Sequence, residues 1–279
     1  MEIIEHENDK IKKIEKMTVT KMNNEELEHY LKKKGSNHNN YRFYAPEYKI
    51  NSIIDDGYLY LSDGKNWNDP VDSGNMPKNS FALCLSYLTE ESVAMWMLYG
   101  GINKKGATIK FSKKSINNIC KTSAENISFG HFESNKFIKA EILWDQFEEK
   151  KFDAYLIDIG YFLNDLYQNT IIRQEERIYL KEEIHENLHY IKSHPWNYEN
   201  ECRLIFVTHP KDPELFKLNK INTLRIKLSE EDLNDLKKNI TLSPIYPGNE
   251  KNTKRSYVPQ HSPIKVKWDL CPHECKYKL

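Results

Sequence analysis

The chain has 279 residues, 39% hydrophobic and 29% charged, which supplies enough apolar material for a folded core and excludes an intrinsically disordered chain. Lysine plus arginine equals aspartate plus glutamate at 41 each, so no net field draws the protein to nucleic acid or to an anionic membrane. No run approaches the roughly twenty apolar residues of a membrane span, and the first residues lack the apolar stretch of a secretory signal, which predicts a cytoplasmic protein with no membrane partner.

Residues 1–40 are rich in Lys and Glu. "NNEELEHYLKKKG" carries an Asn cap, good helix formers and a closing Gly, and predicts a helix appended to the core as an N-terminal extension. From Tyr41 the pattern changes: "YRFYA" reads as a strand, "PEYKINSIIDDG" as a helix from Pro46 to Gly57, and "YLYLS" as a second strand. A polar loop containing "NDPVD" follows. "SFALCLSYL" is apolar on both faces and predicts a buried central strand, and Thr89 is placed to cap a helix that ends at Gly100 and Gly101. "KGATIKFS" reads as a strand, "KKSINNICK" as helical turns and "FIKAEILWD" as a strand.

Between 152 and 192 apolar residues recur at spacings of three and four, from Phe152, Tyr155, Leu156 and Ile159 to Leu188 and Ile191, which predicts a helical insertion. After Pro195, "YENECRLIFV" returns to strand, followed by the strand "TLRIKLS", the helix "EEDLNDLKKN" and the strands "ITLSPIY" and "IKVKWDL". The fold class is α+β: a domain over 41–279 with helical additions, the insertion at 152–192 among them.

Three patterns bear on chemistry. Five cysteines at scattered spacing argue against a disulfide framework, and Cys271, His273 and Cys275 in the tail lack a fourth local ligand for zinc. His185, Glu186 and His189 match the H-E-x-x-H arrangement, in which two histidines on one helical face grip Zn²⁺ while the Glu activates water; a zinc-dependent hydrolase is one alternative function. The extended form of that motif fails, since no Gly follows at the required place. The third pattern is Glu199, Glu201 and Arg203 at alternate positions of the strand "YENECRLIFV", which puts all three on one face. The bland reading of that face is a wet edge with weak cross-strand ion pairs. The apolar "LIFV" that continues the strand argues instead for a central strand with charges at its mouth.

Taken in order, "YRFY", "NDPVD", "CLS", "WMLYGGINKKGATIKF" and "WNYENECRL" resemble a bacterial family known as a domain of unknown function, marked by N-D-P-x-D, W-x-x-Y-G…K-G-x-x-I-x-F and W-x-Y-E-x-E-x-R motifs. The resemblance covers about residues 41–206. That order also looks like the ADP-ribosyltransferase fold, with a split β core. The likeness implies an NAD-consuming enzyme, with NAD as substrate, that transfers ADP-ribose to an unknown macromolecular acceptor or hydrolyses the dinucleotide. It further implies a bacterial toxin or an effector of defence against phage, restrained by a regulatory protein partner. Under it Glu201 would stabilise positive charge on the ribose, Glu199 would orient or deprotonate the nucleophile, and Arg42 would pair with the pyrophosphate. Ser86 would hold the ribose or the strand geometry, and Tyr41, Tyr44 or Tyr87 would stack on the nicotinamide. Asn68 and Asp69, beside Asp72, would shape the cofactor mouth. No metal is assigned under this reading. The central strand lacks the Thr-Ser that follows Ser in many transferases. A non-catalytic nucleotide-sensing or interaction module is the other alternative.

Overall fold

The computed structural model of the chain describes residues 20–67, 69–89, 92–100, 105–162, 170–173, 176–180 and 188–243. Strand β1 (Thr20–Met22) leads into helix α1 (Asn24–Gly35). The Glu26 N–H donates to Asn23 Oδ1 and the Asn23 N–H to Glu26 Oε2, each at 2.8 Å, closing two amides that a helix start leaves open. Leu27 and Leu31, one turn apart and both fully buried, seat α1 on the core, each worth about 1.5–3 kcal/mol of apolar burial. The helix is therefore an integral wall of the fold and not an appendage.

Strand β2 (Asn40–Pro46), helix α2 (Glu47–Asp56) and strand β3 (Tyr58–Ser62) follow the sequence reading. Gly57 ends α2 at φ 72°, a left-handed turn that glycine takes without steric cost. A short helix α3 (Pro70–Gly74) carries part of the N-D-P-x-D loop, and β4 (Ser80–Ser86) is the buried strand read from "SFALCLS". Helix α4 (Val93–Tyr99) starts later than expected: Ser92, not Thr89, is the cap, its Oγ accepting from the Met95 N–H at 3.4 Å.

Strand β5 (Gly106–Ser112) and helix α5 (Lys113–Cys120) agree with the sequence. A hairpin of β6 (Ile127–Glu133) and β7 (Lys136–Lys139) comes next. The sequence reading omitted β6 and extended β7 too far, because "FIKAEILWD" breaks after Lys139 and ends in a 3₁₀ turn at Trp144–Gln146.

The expected helical insertion is replaced in the described residues by strands β8 (Phe147–Asp158), β9 (Gly160–Phe162), β10 (Thr170–Arg173), β11 (Glu176–Leu180) and β12 (Ile191–Ser193). The second half of β8 lies between two cores, Phe152, Ala154 and Leu156 facing one while Tyr155 and Ile157 face the other. A strand buried on both faces carries apolar residues at mixed spacing, which imitates a helical period. Then come β13 (Glu201–Pro210), helix α6 (Leu215–Leu218), β14 (Thr223–Lys227), helix α7 (Glu230–Lys238) and β15 (Ile240–Leu242).

Among the described residues the strands form two sheets. The smaller runs β1-β11-β10-β9-β12; the larger runs β15-β5-β2-β4-β3-β14-β6-β7, with β13 beside β4 and β8 beside β13. Strand β4 meets β13 along its whole length, from Glu201↔Ser86 to Val207↔Ser80. On its other side it meets β3 only at Ser62↔Ala82 and β2 only at Arg42↔Ser86. The two arms thus splay from β4 and leave a fork between them. No helix among the described residues is long and apolar enough to cross a membrane.

Candidate functional site

The fork opens into a cleft of about 800 Å³ whose lining includes Arg42, Asp72, Lys192, Glu199 and Glu201. Three neighbouring strands set up one side of it. Arg42 on β2 is registered against Ser86 on β4, and Ser86 against Glu201 on β13, so the three residues form a row on one face of the sheet. Two strand spacings separate the outer backbones by about 10 Å.

Glu199 reaches the same spot by another route. It ends the 3₁₀ helix His194–Glu199, and Asn200 at φ 43° turns the chain into β13. The strand therefore begins at Glu201 and not at Tyr198 as the alternating pattern suggested. The two glutamates converge because Asn200 tolerates the left-handed conformation, one few residues other than Gly adopt readily.

The cluster is buried: Glu199 and Glu201 are each 3% exposed, and Arg203 is fully enclosed. This removes the reading of a wet edge. Arg203 Nε donates to Glu201 Oε1 at 2.7 Å, its Nη2 to Asp72 Oδ2 at 2.6 Å, and its Nη1 to the His189 carbonyl at 2.8 Å. Lys192 from β12 donates to Glu199 Oε2 at 2.7 Å and to Glu201 Oε2 at 3.0 Å, with Asp72 Oδ2 at 3.4 Å. Tyr99 from α4 donates its hydroxyl to Glu199 Oε1. Aromatic faces cover both cations, Trp67 lying 4.6 Å from the Arg203 guanidinium and Trp196 lying 5.0 Å from the Lys192 ammonium.

Three carboxylates against two cations would leave one net negative charge in a nearly dry site, and proton affinity adjusts to that imbalance. Burial, then the Glu201 charge, pushes Glu199 up to about 7 despite its bonds from Lys192 and Tyr99. Burial opposes ionisation of Glu201 too, but Arg203 and Lys192 outweigh it and hold that carboxyl well below the ordinary range. Lys192 is likewise penalised by burial, yet Glu201 and Glu199 raise it above an ordinary lysine. Burial raises Asp72 as well, against the pull of Arg203 and Lys192, so the cleft presents a carboxyl held ionised at Glu201 beside one at Glu199 that exchanges a proton near neutrality, the division of labour expected of an acid–base pair.

The other expected residues distribute unevenly. Arg42 lines the cleft, its Nη2 donating to the Thr89 carbonyl at 3.1 Å. Ser86 is buried and spends its hydroxyl on the Glu199 carbonyl at 2.7 Å, so it braces the 3₁₀ turn and does not reach a ligand. Tyr41 lies on the opposite face, fully buried, donating to the Gly35 carbonyl at 2.7 Å; stacking on a cleft ligand is excluded for it. Tyr87 stacks on His38 with ring centroids 4.2 Å apart, whereas Tyr44 lines the cleft. Asp69 also lines the cleft, and its Oδ1 accepts from the Asp72 N–H at 3.4 Å, while Asn68 lies outside the described residues.

His185, Glu186 and the tail residues Cys271, His273 and Cys275 lie outside the described residues as well. His189 is described, its Nε2 paired with the Tyr155 hydroxyl at 3.3 Å, and burial lowers its pKa to about 4. Among the described residues no group of three or more His, Cys, Asp or Glu is arranged to hold a metal ion.

Sequence reasoning missed Lys192 and Tyr99, and it placed Asp72 in the loop that shapes the cofactor mouth without pairing it to Arg203. Asp72 was signalled by its place in "NDPVD". Nothing separates Lys192 in sequence from the other basic residues, because its partners are assembled by β12 docking against β9. In comparisons with protein-family models, with curated proteins and with solved structures, nothing matches this chain.

Proposed function

We infer that the cleft is the active site of an NAD-consuming enzyme of ADP-ribosyltransferase-like architecture. The observation that carries this reading is the Arg42–Ser86–Glu201 row across three adjacent strands, with Glu199 beside it in the same cleft. A volume of about 800 Å³ suits a ligand of dinucleotide size.

In the reaction the bond between the nicotinamide nitrogen and the ribose anomeric carbon breaks, its electron pair leaving with nicotinamide. Positive charge grows on the ribose. Glu201, whose carboxyl Arg203 and Lys192 hold ionised, places negative charge beside the ribose and favours that developing charge. The acceptor hydroxyl, or water, adds at the anomeric carbon and gives its proton to Glu199. Arg42, held at the cleft by Nε on the Leu88 carbonyl at 3.4 Å and Nη2 on the Thr89 carbonyl at 3.1 Å, brings a fixed positive charge to the pyrophosphate. The roles of toxin or phage-defence effector, and restraint by a protein partner, rest on the family resemblance alone.

The test is incubation of the full chain with NAD labelled in its adenylate phosphate, alone and with a bacterial lysate. Label on macromolecules identifies a transferase, and free labelled ADP-ribose identifies a hydrolase. Intact NAD in both mixtures contradicts the reading.

A further inference from the structure

The arm of the larger sheet that runs β3-β14-β6-β7 sends one set of side chains, among them Leu59, Leu61, Leu224, Ile226, Ile127 and Phe129, into the main core. The residues between them point the other way, and cross-strand pairing gathers them on one surface. Arg225 stands between Tyr60 and Ser128, Tyr58 is opposite Lys227, Gly130 opposite Lys139, and Phe132 opposite Phe137. This surface is open. Tyr58, Tyr60, Arg225 and Phe137 are half-buried, Lys139 and Lys227 are exposed, and Phe132 is 47% exposed.

The rings form a connected group. Tyr60 and Phe132 have centroids 5.2 Å apart, and Phe132 meets Phe137 edge to face at 5.8 Å. Arg225 is wedged between Phe137 and Tyr58, its guanidinium carbon 4.3 Å and 4.2 Å from their centroids, and its Nε donates to Ser128 Oγ at 2.8 Å. A side chain at position 130 would strike the Phe137 ring and the Ile138 carbonyl, so Gly130 is what lets β7 lay Phe137 against the sheet.

Charge selects the partner. Every charged residue that the register puts on this face is a cation: Arg225, Lys227 and Lys139. Asp56, at its border, accepts from the Tyr60 hydroxyl at 3.0 Å. The equal count of acids and bases in the whole chain conceals this local excess. Accessible rings interleaved with cations match a single-stranded nucleic acid, whose bases stack on aromatic faces while its phosphates pair with lysine and arginine. A duplex keeps its base faces inside and offers the rings nothing to stack on. An acidic peptide brings the charge without the bases.

We propose that the β3-β14-β6-β7 face is a docking surface for single-stranded nucleic acid, with Tyr60, Phe132 and Phe137 as the stacking platform and Lys139, Arg225 and Lys227 on the phosphates. The inference goes beyond the reading of the cleft and does not depend on it. Tyr60 and Phe132 also line the cleft, so a bound strand runs to its mouth.

The experiment follows the fluorescence anisotropy of labelled mixed-sequence single strands of about twelve nucleotides, one DNA and one RNA, titrated with the full chain. Binding should weaken with salt on a log–log slope of about −2, roughly 0.7 for each of the three cations. Phe132→Ala should weaken binding roughly tenfold, the loss of one stacked base. Replacing both lysines, Lys139→Gln with Lys227→Gln, should bring the slope to about −0.7. Ile138→Ala, which removes a comparably exposed apolar side chain from the other face of β7, should bind like the parent. A preference for the RNA or the DNA strand identifies which of the two the surface serves. Equal affinity for a duplex of the same sequence, equal competition by polyglutamate, unchanged affinity in folded Phe132→Ala, or no binding at low salt overturns the proposal. Single-strand binding with NAD left intact keeps this surface and removes the enzymatic reading, and NAD consumption without single-strand binding does the reverse.

Discussion

At the residue scale the decisive contrast is between two glutamates two positions apart that share a lysine yet hold protons differently. Glu201 is clamped by Arg203 and Lys192, whereas Glu199, facing Lys192 and the Tyr99 hydroxyl, titrates near 7 against 4.5 for an ordinary glutamate. Two consequences follow from that single shift. Nicotinamide release should rise with pH through about 7 as Glu199 becomes a base, and Glu199→Gln should lower the rate and flatten the profile. Stability should run the other way. A carboxyl whose folded pKa exceeds its unfolded value binds more protons when folded, so its contribution is complete below about 4.5 and is lost as pH rises through about 7. Relative to Glu199→Gln, the parent should therefore lose on the order of 3 kcal/mol between pH 4.5 and 7.5, less whatever solvent relaxation recovers, as read from urea midpoints.

At the scale of elements, the turn between the 3₁₀ helix and β13 determines whether those glutamates meet. Asn200→Ala must hold φ 43° with a side chain that disfavours it, and should cost about 1 kcal/mol and reduce turnover, while Asn200→Gly should stay close to the parent. Chemical denaturation and nicotinamide release read the two effects separately. The same turn marks how far the sequence was legible. Helices α1 and α2 and strands β2 to β5 could be read because Asn23, Gly57, the short alternating runs and the continuous apolar run of β4 are local signals. Glu199 and Glu201 were recognised as a pair, but their strand register was wrong, since alternation cannot reveal an αL residue between them. Residues 152–162 were misread as helix because burial on both faces erases the alternation that identifies a strand. Lys192 left no local trace at all.

At the scale of the molecule, two buried ion clusters tie the smaller sheet to the larger. Lys192 of β12 reaches Asp72, Glu199 and Glu201, while Arg173 of β10 donates its Nε to Asp158 of β8 at 2.7 Å, with His38 on the other oxygen at 2.7 Å. Asp158 is fully enclosed, and stripping the guanidinium from it should cost about 3–5 kcal/mol. Arg173→Met and Lys192→Met should thus both destabilise the fold by a similar amount, measured by urea unfolding. Only Lys192→Met should also abolish turnover under conditions where the variant remains folded, because only Lys192 touches the paired glutamates. Equal loss of turnover in the two folded variants would mean that the charge cluster in the cleft acts as a clasp and nothing more.

The proposed activity requires the carboxylate at position 201 to face NAD in the fork of the larger sheet. Its most direct test is the rate of nicotinamide release from NAD by the full chain and by Glu201→Gln, with folding of the variant checked by circular dichroism. The parent should release nicotinamide continuously, and the folded variant should be slower by roughly a hundredfold or more, the usual effect of losing a group that stabilises transition-state charge. No release by the parent, or an equal rate in the folded variant, would contradict it.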